Sequence, residues 1–198
     1  MESILNNPKI KTGSMDLLFA IIASAVNILG LFLNIGFYFP FSVYLPYVVS
    51  VVGYGSAHPE LIGETETVLD PEIGNFILIF SIVIAAIILG VYLLLFFLSR
   101  PGRVKTVDQA KGAKATFVVA LVLFCIDTLF LIFMGIGFLG LSALIDVAFH
   151  IWAIVSLVGG IKGYNAAIKE AMSPTAVVEA EATVVETEAP AFDDNQNI

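Results

Sequence analysis

The sequence predicts an all-α integral membrane protein: a four-helix bundle with an apolar interfacial segment in its first outer loop and a disordered acidic C-terminal tail. Three observations carry this. Of 198 residues, 59% are hydrophobic and only 13% charged, with a mean hydropathy of +0.97, far from the balance of a soluble domain. The charged residues are confined to zones between four apolar runs, each longer than the roughly 20 residues that cross a bilayer as a helix. The basic residues, finally, all fall on one side of the resulting alternation.

The expected organisation is a polar stretch at 1–14, a membrane domain at 15–172 and a tail at 173–198. Within the membrane domain the spans are read at 15–39, 74–98, 115–138 and 141–163. The first run is too long for the apolar core of a signal peptide and is expected to be a retained span. The third and fourth are joined through Gly135, Gly137 and Gly140, which suits a tight antiparallel hairpin.

Orientation follows from Lys and Arg, which are retained in cytoplasmic loops. Lys9 and Lys11 precede the first span, Arg100, Arg103, Lys105, Lys111 and Lys114 separate the second from the third, and Lys162 and Lys169 close the fourth. The opposite loop, 40–73, carries Glu60, Glu64, Glu66, Asp70 and Glu72 and no base. Both ends are therefore expected in the cytoplasm, with the basic 100–114 loop held against anionic lipid headgroups.

Residues 41–57, FSVYLPYVVSVVGYGSA, are apolar enough to suggest a fifth crossing. Pro40 and Pro46 interrupt it, the remaining run is short, and a crossing here would reverse the charge rule. Tyr38, Tyr44, Tyr47 and Tyr54 suit a segment lying at the outer headgroup level, amphipathic or partly re-entrant. The tail, with its repetitive Ala, Val, Glu and Thr, reads as disordered, either a docking tail or a solubilising extension, and holds much of the net charge of -8.

In the first span Ala20, Ala23, Asn27, Gly30 and Asn34 recur on one helix face. With Gly159 and Gly163 in the fourth span, they read as packing positions that let helices approach closely. The ionisable residues singled out inside the spans are Asp127, Asp146 and His150, costly in hydrocarbon unless they face protein or water. Asp146 and His150, four apart, share a helix face, where the carboxylate can accept from the imidazole. Asp127 lies within about 4.5 Å of the depth of His150 if the hairpin is centred on Gly140. The three form either a polar cluster that fixes helix register or a proton or metal site. A metal is not expected, because two carboxylates and one imidazole leave coordination incomplete and the other histidine, His58, is in the outer loop. The single Cys125 lies in an apolar run and reads as a small core residue. No catalytic motif, nucleotide loop or cofactor signature is present, so no enzyme and no nucleic-acid partner is expected.

The stretch Ile145, Asp146, Val147, Ala148, Phe149, His150 resembles the LDAAYH-type motif of the MAL-like branch of the MARVEL-domain family, matching at Asp146, Ala148, the aromatic Phe149 and His150. The resemblance implies four spans with cytoplasmic termini and a role in ordered lipid domains, membrane apposition or vesicle traffic, without catalysis. The expected function is a non-enzymatic tetraspan protein that organises lipid or partner helices, in a larger complex or as a homo-oligomer. The alternatives are an accessory subunit of a larger membrane complex and a small proton-coupled transporter or channel component. Tags within 104–112 and at either end should be reached only from the cytoplasm, and a tag within 60–70 only from outside; protease protection in sealed vesicles reads this directly.

Overall fold

The computed structural model describes residue 4 and residues 6–59, 69–135 and 143–173, and in these the apolar body is helical. Helix α1 is Pro8–Phe32, α2 is Tyr44–Ala57, and α3 is Pro71–Ser99. A 3-10 turn, Pro101–Arg103, leads to α4, Val107–Phe130, which continues through one π turn, Leu131–Gly135. Helix α5 is Ala143–Ala171. Helices α1, α3, α4 with its π turn, and α5 are long and apolar enough to cross a membrane. The predicted disorder of the tail, the acids Glu60, Glu64 and Glu66, and Gly137 and Gly140 of the hairpin lie outside the described residues.

Helix starts are written locally. Asn7 accepts from the amides of Lys9 and Ile10, with Pro8 in the first turn, where its missing N–H costs nothing. Asp70 accepts from Glu72 N–H ahead of Pro71, and Thr106 from Gln109 N–H, while Gln109 Oε1 reaches back past the cap to accept from Lys105 N–H.

The four long helices form a ring: α5 packs along α1 on one side and α4 on the other, and α3 closes it against α4 and α1. The core at the basic end is Ile10, Phe117, Leu157 and Tyr164, with the Tyr164 hydroxyl donating to the Ser99 carbonyl at 2.8 Å. Phe117 fills the space left by Gly13 of α1 and Gly160 of α5; a Cβ on either would fall within 2.8 Å of its ring. The outward residues Phe76, Ile79, Phe80, Val83 and Ile87 of α3 are exposed, as a lipid-facing surface requires.

Several expected bounds shift. Helix α1 starts at Pro8 instead of 15 and ends at Phe32 instead of 39, and α4 and α5 run past the basic residues at their ends. Hydropathy marks the apolar stretch, whereas caps and backbone hydrogen bonds end a helix.

Residues 41–57, expected to be amphipathic or partly re-entrant, form helix α2, which packs antiparallel against the N-terminal half of α3. Gly53 meets Ser81, and Gly74 meets the Ser56 carbonyl, both too closely for any side chain at the glycine. Thus a Gly53→Leu variant should lose about 1 to 3 kcal/mol through overpacking. Gly90→Ala, whose Cβ meets nothing, serves as the control expected to stay near neutral, with detergent unfolding midpoints as the readout.

Candidate functional site

The site begins where α1 stops. Leu33 leaves the helix and Asn34 adopts φ 53°, a left-handed conformation that asparagine tolerates. The chain then turns back along α1 into the bundle. A non-helical backbone at this depth survives only if its polar groups are met by protein, and side chains of α1 meet them. The Asn27 carboxamide accepts from Phe39 N–H at 2.6 Å and donates to the Phe39 carbonyl at 2.8 Å, so it pairs like a strand neighbour. It also reaches Ser42 Oγ at 3.0 Å. One turn deeper, Ser24 Oγ accepts from Val43 N–H at 2.7 Å and donates to its own Ala20 carbonyl.

The chain reverses there into α2, whose 14 residues rise about 21 Å back toward the start of α3. The helix therefore begins deep in the bundle, where the four N–H positions that open a helix have no partner along the chain. All four are accounted for. Val43 N–H goes to Ser24, Tyr44 N–H to Asp127 Oδ2 at 2.8 Å, and Leu45 N–H to Asp127 Oδ1 at 2.7 Å. The fourth position is Pro46, which has no N–H. A carboxylate at a helix N-terminus is also favoured by the helix dipole. Pro46, expected to interrupt a helix, instead sits in its first turn.

Asp127 takes a further partner, His150 Nε2, at 2.9 Å from Oδ2, with both residues almost fully buried. His150 Nδ1 lies 2.9 Å from the Asp146 backbone carbonyl. A carbonyl only accepts, so Nδ1 carries a proton and donates. Nε2 and Oδ2 then share a second proton between them. The pair is a unit of net charge zero, the form in which a carboxylate and an imidazole can be buried together. Beside it, Ala20, Phe41, Ser42, Phe124, Phe149 and Ala153 close in so tightly that no space remains for a water molecule.

The expected pairing of Asp127 with His150 is present, but that of the Asp146 carboxylate with His150 is not. The imidazole reaches back to the carbonyl of Asp146 instead, because helical side chains lean toward the N-terminus. Asp146 Oδ1 is buried without a hydrogen-bond partner among the described residues. Both nitrogens of His150 are engaged, which leaves no lone pair for a metal, and no cluster of three or more possible ligands forms among the described residues.

The first-span face is kept in part. Ala20, Ala23 and Asn27 are buried, Gly30 is half-buried, and Asn34 is exposed beyond the helix end. Gly163 approaches Ile10 and Asn7 closely, but a Cβ on Gly159 would meet nothing; Gly160 makes the close approach instead. Arg100, Arg103, Lys105 and Lys111 are exposed and Lys114 is half-buried, with Arg100 over the Phe96 ring and Lys111 paired to Asp108. Attention to the middle of the spans passes over two residues. Ser24 lies three before Asn27 on the same face, and Asp16, second residue of the first apolar run, has Oδ2 buried with no hydrogen bond.

No family model matches the chain, and neither a curated protein nor a solved structure does.

An Asp127→Asn substitution conserves shape but not hydrogen bonding. An amide offers one acceptor where two backbone N–H groups need one each. Tyr44 or Leu45 is left facing a donor, at a cost of about 1 to 3 kcal/mol. Asp127→Leu strands both amides and His150 and should cost roughly twice as much or more. Unfolding of both variants in detergent, with exchange protection at Tyr44 and Leu45, gives the order parent, Asn, Leu.

Proposed function

We propose that this chain is a non-enzymatic tetraspan membrane protein that organises lipid or partner helices, with both ends in the cytoplasm and its basic loop against anionic headgroups. The observation that carries the reading is the use of the polar groups inside the bundle. Asn27, Ser24, Asp127 and His150 are spent on the chain's own backbone and on one another. A proton relay needs a connected path in and out, and the pocket that His150 lines with Phe41 and Phe149 has no room for a water molecule. Transporters aim broken-helix ends at their substrates, but here the deep end of α2 is closed by Asp127. The MAL-like resemblance, carried by Asp146, Ala148, Phe149 and His150, implies a role of the same kind.

The test is proton-coupled and passive ion flux in reconstituted vesicles of defined lipid. Flux should equal that of protein-free vesicles in the parent and in Asp127→Asn. Flux in the parent that vanishes in a folded Asp127→Asn variant would replace this reading with a relay.

A further inference from the structure

Asp16 is half-buried near the start of α1. Asp127 is fully engaged, whereas Asp16 Oδ2, shielded from solvent, has no hydrogen-bond partner among the described residues, as is also true of Asp146 Oδ1. Asp16 lies five residues beyond Lys11, about 7.5 Å further along α1, where the span has become apolar. A carboxylate at such a position is costly unless it meets a donor or a cation.

Above it opens a lipid-facing groove of about 500 Å³ between α1 and α5, walled by Phe19, Phe41, Phe149 and Trp152. A second groove of about 470 Å³ shares Phe149 and Trp152 and continues along α5 to Leu144, past Ile145 and Ala148. From Trp152 to Leu144 is about 12 Å, so a continuous apolar face of more than two turns ends on one unpaired acid. One turn from Trp152 on α5, Ser156, whose carbonyl approaches Gly13 of α1, has its Oγ shielded and without a partner among the described residues.

We infer that Asp16 and the groove above it dock a transmembrane helix of another protein, one that carries a lysine or arginine at the depth of Asp16. Charge complementarity selects the cation, and the apolar walls accept the methylene stem of its side chain. The length of the groove selects a helix over a lipid headgroup, because its apolar wall runs more than two turns along α5 beyond the acid, a surface on which a helix packs. A second copy of this chain does not supply it, since its own bases, Lys9 and Lys11 among them, cluster at the polar ends of its helices. The inference rests on the reading that the chain recruits partner helices and names the chemistry of the partner.

The probe is a designed single-span Leu-Ala peptide with one lysine five residues inside its N-terminal boundary, or leucine there as control. Association with the full chain is read by energy transfer in phosphatidylcholine vesicles. The lysine peptide should associate about tenfold more tightly than the leucine peptide. Asp16→Asn should remove that difference without lowering the unfolding midpoint, and Asp16→Lys should recover it with a glutamate peptide. Equal association of both peptides, or a preference that survives Asp16→Asn, overturns the inference. Loss of the preference when phosphatidylethanolamine is added assigns the groove to a lipid ammonium and overturns it too. None of these results produces ion flux, so the wider functional reading stands or falls separately.

Discussion

A helix that starts inside a membrane protein opens with a row of backbone N–H groups for which neither water nor its own chain supplies a partner. Asp127 supplies two partners from a different helix, with one oxygen for Tyr44 and the other for Leu45. Ser24 takes Val43, and Pro46 removes the last donor. The charge this brings into the bundle is balanced by the proton shared with His150, whose other nitrogen is held by the Asp146 carbonyl. Three helices and the returning chain thus meet at one small polar unit, and its placement fixes how they lie.

Much of the remaining architecture follows. Because the chain must reach Asp127 before α2 begins, α1 ends at Phe32 and the chain turns back at Asn34. The returning stretch needs polar partners on α1, and Ser24 and Asn27 sit three apart to provide them. The outward run of α2 then lies against α3, where Gly53 and Gly74 permit a contact that larger residues would block. The half of the bundle opposite the basic residues holds an additional helix, and the half bearing them is closed by the aromatic packing of Phe117 against Tyr164.

The polar residues divide by what they do. Those at the centre are consumed by architecture, which is why the same cluster that suggests a proton or metal site from sequence supports an interaction protein once its partners are visible. Asp16 makes no such contact and sits at the end of an aromatic groove that opens to lipid. An unpaired carboxylate oxygen at the edge of such a groove directs attention outward.

The sequence by itself determined the four spans, since twenty or more apolar residues in a row have one stable state in hydrocarbon, the helix. It also marked Asp127 and His150 as partners at a shared depth, because helical rise converts residue number into height. Asn27 was legible as a buried packing residue, but its partner, the backbone of Phe39, was not. Residues 33–57 are as apolar as a span, and nothing in their hydropathy distinguishes a segment at the headgroups from one that enters the bundle and leaves again. That choice was made only in the tertiary structure, where unpaired N–H groups of a turning chain had to find acceptors on helices remote in sequence. Periodicity reports which residues avoid water; it carries no record of which distant side chain satisfies a given backbone group.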